Sequence, residues 1–453
     1  MSTKVVTRIA PSPTGQMHIG TVRTALFNYL FAKQHGGTYF VRIEDTDRER
    51  NKEEWVDAIW EDFEWCNLPP DAKYRTSERL QRHIELLTAL IASGKAYVSR
   101  EPKKDDPSQE VEVVRLKNPN TTITFTDLIR GEITFDTTEL GDFVIARSIT
   151  DPLYHFAVVA DDGDAGVTHV LRAEEHISNT PRQILLLEAL GFERPLYGHF
   201  PLILAPDRSK LSKRKHGASI ENYREQGFIP EAIINYLAML GWNPGTEQEL
   251  FTLDELQKVF SLDRVHKGGA VFDIEKMRWF NHEHLKRLSD EEYKKRLEAF
   301  VQKEVGARLI PLLKDRAMTL QEAADLLQQE FDFLENPVSY DAALLLNKGK
   351  LDPETTKKHL LALKGLVANI SVGDSTEKHI QPWFAPYVWE DNSPDTTKGH
   401  LMPYADQEGR GNVLWPLRVA LSGKDKSPDP FTIIWLIGTE EATRRIEAAL
   451  NML

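Results

Sequence analysis

One cysteine in 453 residues is the sharpest scarcity in this chain. A lone Cys66 excludes an internal disulfide and any zinc cage built from several thiolates. Long apolar runs are missing as well. No stretch reaches the roughly 18 consecutive apolar residues of a membrane-spanning helix, so no membrane association is expected. The first residues lead into a strand pattern, without the charged-then-apolar profile of a signal peptide, and the expected compartment is the cytoplasm. There is no internal repeat and no low-complexity tract. Positive charge is in short supply, with a formal net charge of −13. That deficit does not exclude a nucleic-acid partner, because phosphate contacts depend on local patches and not on the sum. Basic patches occur at residues 208–215, at Lys276 and Arg278, and at residues 294–296. The last two, taken singly, read as solvated helix faces.

The chain has length enough for roughly two to four domains with sizeable cores. Near its start lies a pattern around which the rest is arranged. Residues 5–9 are a β-branched run that predicts a buried strand. Pro11, Pro13 and Gly15 then interrupt any regular element. Between residues 18 and 35, Val22, Ala25, Leu26, Tyr29 and Leu30 recur at helical spacing, and Gly36-Gly37 ends the helix. Residues 38–43 read as a second strand. Such a βαβ unit binds ligands beyond the carboxyl ends of its strands and favours phosphates at the helix N-terminus. The loop is neither a Walker loop nor the Gly-x-Gly-x-x-Gly fingerprint. It offers Thr14, Gly15, His18 and Gly20 around a helix start, where a His can donate to a phosphate and a Gly lets a nucleotide approach closely. A lone His at a helix start is usually a cap. Ala10-Pro11-Ser12-Pro13-Thr14-Gly15 followed by His18-Ile19-Gly20 is far more specific than any one residue.

This stretch resembles the first signature of the class I aminoacyl-tRNA synthetases, in the form used by bacterial-type glutamyl-tRNA synthetases. Thr21 stands where the general signature has a second His, a departure common in the glutamyl family. The basic hexapeptide at residues 210–215, following the last strand of a split nucleotide fold, resembles the second signature. The resemblance covers essentially the whole chain. It implies an α/β fold: a class I Rossmann-like catalytic domain split by a small α+β insert, then an all-helical C-terminal anticodon-binding region. The expected boundaries are residues 1–94 and 151–217 for the catalytic halves and 95–150 for the acceptor-end insert. A stem-contact region at 218–288 and the helical region at 289–453 follow.

The resemblance also implies a site. Arg8, Ala10, Ser12, Glu44, Tyr154 and Arg172 fall on the glutamate-binding positions. A carboxylate such as Glu44 suits an α-amino group, and Arg172 suits a bidentate grip on the side-chain carboxylate. Thr14, Gly15, His18, Gly20, Glu175 and Lys213 fall on ATP-binding positions. His18 and Lys213, assisted by Lys210, are the expected catalytic groups, with Lys213 stabilising the phosphates as pyrophosphate leaves. Asp47, Arg50 and Arg316 are candidates for tRNA contact. The implied substrates are ATP with Mg2+, L-glutamate and the tRNA for glutamate, with charging of the tRNA for glutamine left open. A monomer is expected, with no metal held by the protein and no zinc. Two other readings are a glutamyl-queuosine tRNA synthetase-like paralogue, which lacks the anticodon domain, and a catalytically silent tRNA-binding relative, which would have lost His18, Lys213 or Arg172.

The remaining chain reads as follows. Helices are expected at 53–65 and 77–93, the second capped by Ser77 and closed by Gly94, with Trp55, Trp60, Phe63 and Trp65 in the core. The insert is short after Ala96-Tyr97 and carries strands at 110–117, 123–125 and 131–136. The second catalytic half resumes at 153–159, followed by a polar turn at Asp161, Asp162 and Asp164 and a strand at 167–171. A helix opens at Asn179-Thr180-Pro181 and closes at Gly191, ahead of a strand at 200–204. Beyond it the pattern is helical, broken at Gly227, at 241–245 and at Gly268-Gly269, with a breaker-rich piece at 388–411.

Overall fold

The computed structural model describes residues 4–47, 49–103, 106–212, 217–335, 339–370 and 394–453. It divides into two units, Met1–His284 and Leu285–Leu453.

The first unit opens with strand β1 (Val6–Ile9), helix α1 (Ile19–Gln34), strand β2 (Thr38–Ile43), helix α2 (Glu53–Trp65) and strand β3 (Ala72–Arg75). The three strands are parallel, with Arg8 opposite Phe40 and Arg42 opposite Tyr74. Alternation along β2 sends Tyr39, Val41 and Ile43 into one core and Phe40 into a second core on the other face. Phe63 is buried in the first core, and Trp60 and Trp65 pack against it. Helix α3 (Leu80–Ala92) follows a 3-10 turn at Thr76–Arg79, so Ser77 sits inside that turn and does not cap α3. Its backbone N–H and its hydroxyl both donate to the Asp45 carboxylate, at 2.8 and 2.6 Å.

The insert then forms two antiparallel hairpins. Strands β4 (Ala96–Lys103) and β5 (Asp106–Leu116) pair from Ala96↔Leu116 to Lys103↔Asp106, which closes the shortened segment as a simple hairpin. Strands β6 (Thr122–Asp127) and β7 (Gly131–Asp136) form the second hairpin, followed by a 3-10 turn at Thr137–Leu140. Strands β8 (Val144–Ser148) and β9 (Asp151–Pro152) extend the first.

Helix α4 (Tyr154–Asp164) comes next. It begins where the nucleotide fold was expected to resume, and it puts helix in place of the polar turn expected at Asp161, Asp162 and Asp164. Its apolar residues leave no polar face, so periodicity alone cannot separate a buried helix from a buried strand here. Strand β10 (His169–Ala173), helix α5 (Thr180–Leu190) and strand β11 (Leu196–Phe200) follow; β10 and β11 pair in parallel in a second sheet, in which β11 also pairs with β6 of the insert. Gly191 closes α5 in the left-handed conformation, at φ 75°. The strand expected at 200–204 is split by Pro201: β11 ends before it, and Ile203–Leu204 pairs separately with Ala270–Val271.

Helix α1 is buried on nearly all sides, so its polar residues need partners inside the protein. The Asn28 side-chain amide donates to the Leu171 carbonyl at 2.9 Å, and the Asn28 backbone carbonyl accepts the Thr7 hydroxyl at 2.9 Å. Val6 N–H donates to the Thr168 hydroxyl at 2.8 Å, and Thr168 N–H returns to the Val6 carbonyl at 3.1 Å. These bonds set β1 beside β10. The chain leaves β1 toward β2 on one side and comes back to β10 on the other, a topological switch point.

The second unit is helical. Among its described residues are helices such as Asp290–Val301, Leu320–Gln329, Pro353–Ala368 and Thr439–Leu450, and no strand. The breaker-rich piece is helical where it is described: Pro394–Glu408 carries Pro403 in its interior and is followed, after Gly409 at φ 96°, by Arg410–Ser422. No helix among the described residues is long and apolar enough to cross a membrane.

Candidate active site

At the switch point lies a cavity of about 540 Å³. The loop after β1 contributes Ala10, Ser12, His18 and Gly20, and the segment from the end of β10 contributes Arg172 and Glu175. Pro11 accepts the Glu44 N–H at 2.9 Å, which ties the loop to the end of β2.

Beneath this cavity lies a buried network of charge. Asp162 on α4 accepts two bonds from Arg8 Nε at 3.2 Å, one from Arg8 Nη2 at 2.9 Å and one from Arg42 Nη1 at 2.5 Å. Burial would raise the Asp162 carboxyl, but the two guanidiniums outweigh it and hold the group below the usual carboxylate range. Arg42, fully buried, also reaches Glu44 at 3.3 Å. Burial pushes the Glu44 carboxyl up, against opposition from Arg42 and Arg8. Asp161, one residue along α4, takes the His83 ring at 2.8 Å and lies 3.6 Å from Arg79.

Arg172 differs from Arg8. Its Nε donates to His199 Nε2 at 3.2 Å, Nη1 to Gln183 at 2.7 Å, and Nη2 to the Thr180 hydroxyl at 2.9 Å and the His176 carbonyl at 3.3 Å. All four acceptors are neutral, and no ion pair to Arg172 occurs among the described residues. Four of its five N–H groups thus have partners within the protein. Arg8 and Arg42 share the Asp162 carboxylate, and Arg42 also reaches Glu44 and, at 3.8 Å, Asp161. Arg172, by contrast, has neutral acceptors only, and burial lowers that guanidinium from its ordinary value. The same surroundings, burial first and then the Arg172 charge, push His176 down to about 4. His155 is also held down to about 4, by burial and then by Arg182. Tyr154, which lines the cavity, is pushed up to about 12 by burial and the Glu44 charge.

His18 is the N-cap of α1, its Nδ1 accepting the Gly20 N–H at 2.9 Å, so the proton of the neutral ring is on Nε2. A Cβ on Gly20 would come within 3.0 Å of that ring. Lys210 and Glu175 both line the cavity and form an ion pair.

Residues 4–106 and 99–279 match the model of the tRNA synthetases class I (E and Q), catalytic domain, and residues 274–450 match that of the anticodon binding domain. The chain belongs to this class I synthetase family. The glutamate–tRNA ligase of Desulforamulus reducens is 38% identical over 499 aligned residues, covering 98% of this chain and 99% of its own. That of Carboxydothermus hydrogenoformans is 38% identical over 98% of this chain and 99% of its own. The crystal structure of a glutamate tRNA ligase from Elizabethkingia meningosepticum in complex with its amino acid superposes with a TM-score of 0.82, at 30% identity, over 99% of this chain and 100% of that one.

In this class I synthetase, Arg8, Ala10, Ser12, His18, Gly20, Glu44, Tyr154, Arg172, Glu175 and Lys210 come together around one cavity. Thr14 and Gly15 are not among its lining residues. Asp47 and Arg50 lie on the surface after β2 and pair with each other at 2.5 Å. Arg316 lies in the second unit, paired with Glu330 at 2.7 Å. Lys213 lies outside the described residues. Sequence reasoning passed over Arg42, Asp162 and His199. Arg42 carried a readable signal, an Arg inside a buried strand.

Proposed function

We propose that this class I synthetase is a glutamate–tRNA ligase, which activates L-glutamate with ATP and transfers it to the 3′-terminal ribose of the tRNA for glutamate. The observation that carries the reading is the charge left on Arg172. L-Glutamate brings two carboxylates and one ammonium, and its side-chain carboxylate supplies the counter-ion that the neutral partners of Arg172 do not. Glutamine brings none, and would leave a buried guanidinium without a counter-ion. Sites built to pair a substrate's polar group reject the analogue lacking it by roughly 10⁴-fold or more.

In this reading Arg172 takes the side-chain carboxylate by charge and its remaining N–H, and Glu44 takes the α-ammonium. Arg8, Ala10, Ser12 and Tyr154 complete the pocket. ATP enters as its magnesium salt, along Thr14, Gly15, His18, Gly20 and Glu175. The glutamate α-carboxylate attacks the α-phosphorus, forming the adenylate and expelling pyrophosphate. Little covalent work falls to the protein, so positioning and charge stabilisation by His18, Lys213 and Lys210 account for the rate. The 2′-hydroxyl of the terminal ribose then attacks the adenylate carbonyl. We assign residues 1–94 and 151–217 to catalysis, 95–150 to the acceptor end, 218–288 to the stem and 289–453 to the anticodon. Asp47, Arg50 and Arg316 are assigned to tRNA contact, and the working form is taken as a cytoplasmic monomer. The helical second unit and its match to an anticodon domain disfavour the queuosine-directed paralogue.

The test is aminoacylation with labelled glutamate on separately purified tRNAs for glutamate and for glutamine. Charging of the first alone gives a discriminating enzyme, and charging of both gives the misacylating kind. Charging of neither by folded protein defeats the proposal.

A further inference from the structure

One of the four partners of Arg172 is itself held by a residue that does not line the cavity. Asp127, at the end of β6 in the insert, accepts from His199 Nδ1 at 2.6 Å, and His199 Nε2 stands 3.2 Å from Arg172 Nε. An arginine Nε–H can only donate, so His199 Nε2 must accept and the ring proton must sit on Nδ1, held by Asp127. The Thr180 hydroxyl, 3.3 Å from the same Nε2, is compatible with that tautomer. All three side chains are buried.

We infer that Asp127 is a positioning residue for substrate carboxylate binding: it fixes the His199 tautomer, and through it the direction of the Arg172 guanidinium. This deepens the reading that glutamate binds at Arg172 and rests on it. The charge states agree. Burial would raise Asp127, but the His199 hydrogen bond and the N–H groups of Arg130 and Ile129 hold it below its usual range, while burial pushes His199 down.

The geometry makes Asp127→Asn a decisive change. Asp127 Oδ1 accepts from the N–H groups of Ile129, Arg130 and His199, at 2.9, 2.8 and 3.3 Å. The amide oxygen of an Asn must stay at that position, which places its NH₂ against His199 Nδ1. Nδ1 must then accept, the ring proton moves to Nε2, and a donor faces the Arg172 Nε–H. A near-isosteric replacement therefore turns one of the four Arg172 contacts from attraction to conflict.

The experiment combines kinetics with ¹⁵N-histidine NMR on the full chain, the His199 signal being the one absent from H199Q. The wild type is expected to show the Nδ1–H tautomer and D127N the Nε2–H tautomer. D127N should raise the KM for glutamate roughly 10- to 100-fold, the range for losing a hydrogen bond to a charged group, with the KM for ATP unchanged. An unswitched tautomer, or a switched one with an unchanged glutamate KM, overturns the inference. Should D127N fail to fold, His199→Phe removes the acceptor directly and carries the same expectation and the same refutation. Arg172→Ala, measured alongside, separates the two levels. If it leaves the glutamate KM alone, the glutamate reading of Arg172 fails. If it raises that KM while D127N and H199F do not, the positioning role alone fails.

Discussion

Replacing Asp162 by Asn removes the carboxylate shared by Arg8 and Arg42 and keeps its shape. The side chains of Asp162, Arg8 and Arg42 are 9%, 5% and 0% exposed, so nothing nearby in solvent can replace the lost charge. Breaking a buried pair from one side typically costs about 3–5 kcal/mol. The Asn carbonyl still accepts one bond, which puts the expectation at the lower end, about 3 kcal/mol. For a unit of this size each kcal/mol shifts Tm by roughly 2–4 °C, so the first unit should melt about 6–12 °C lower. Scanning calorimetry at pH 7 reads this directly. The pH dependence has a definite sign. Asp162 is held below its ordinary value in the fold, so its stabilisation is complete above the unfolded carboxyl pKa of about 3.9. It is lost as pH falls through the lower folded value. The gap in Tm between wild type and D162N should therefore close under acid conditions. Pyrophosphate exchange should show a raised KM for glutamate as well, because Arg8 lines the cavity and loses its anchor. A variant with wild-type Tm and wild-type glutamate KM at pH 7 refutes the shared-counter-ion argument.

Lys213→Ala should slow ATP–pyrophosphate exchange by roughly 10²-fold or more without lowering Tm. An unchanged rate removes Lys213 from the mechanism. His18→Ala loses both a phosphate donor and the N-cap of α1. Exchange should fall, and stability should drop by about 1 kcal/mol, with a full-rate variant counting against the donor role. Cys66 is buried and burial pushes its thiol well up, so a thiol reagent should label it only after denaturation. Rapid labelling of the native protein contradicts that.

The βαβ opening was legible because its periods differ cleanly: a β-branched run, apolar residues at helical spacing, then a second run bounded by glycines. The signatures were legible because they are local. The polar floor of the site was not. Asp161 and Asp162 look like turn residues when burial is unknown, and an apolar helix without a polar face carries no period to reveal it. The partners of Arg172 come from α5, β11 and the turn before α5, which no local pattern connects. That is why none of its four protein acceptors was foreseen. Pro403 stands inside a helix where proline was read as a breaker, because packing overrode local preference.

The position of α1 bears on how the molecule comes into being during synthesis. Arg23 donates to the Leu240 carbonyl at 3.1 Å, Ile19 N–H to the Ala218 carbonyl at 3.2 Å, and Ile220 N–H to the Met17 carbonyl at 3.1 Å. The signature helix at the start of the chain is thus enclosed by residues made some two hundred codons later. Until they clear the ribosome, the Arg23 guanidinium is left to water and one apolar side of α1 lacks its cover. Domains tend to fold as units in order of emergence, yet this one cannot close around its own first helix until nearly all of Met1–His284 has been translated. The earliest residues to be made are among the last to be shielded.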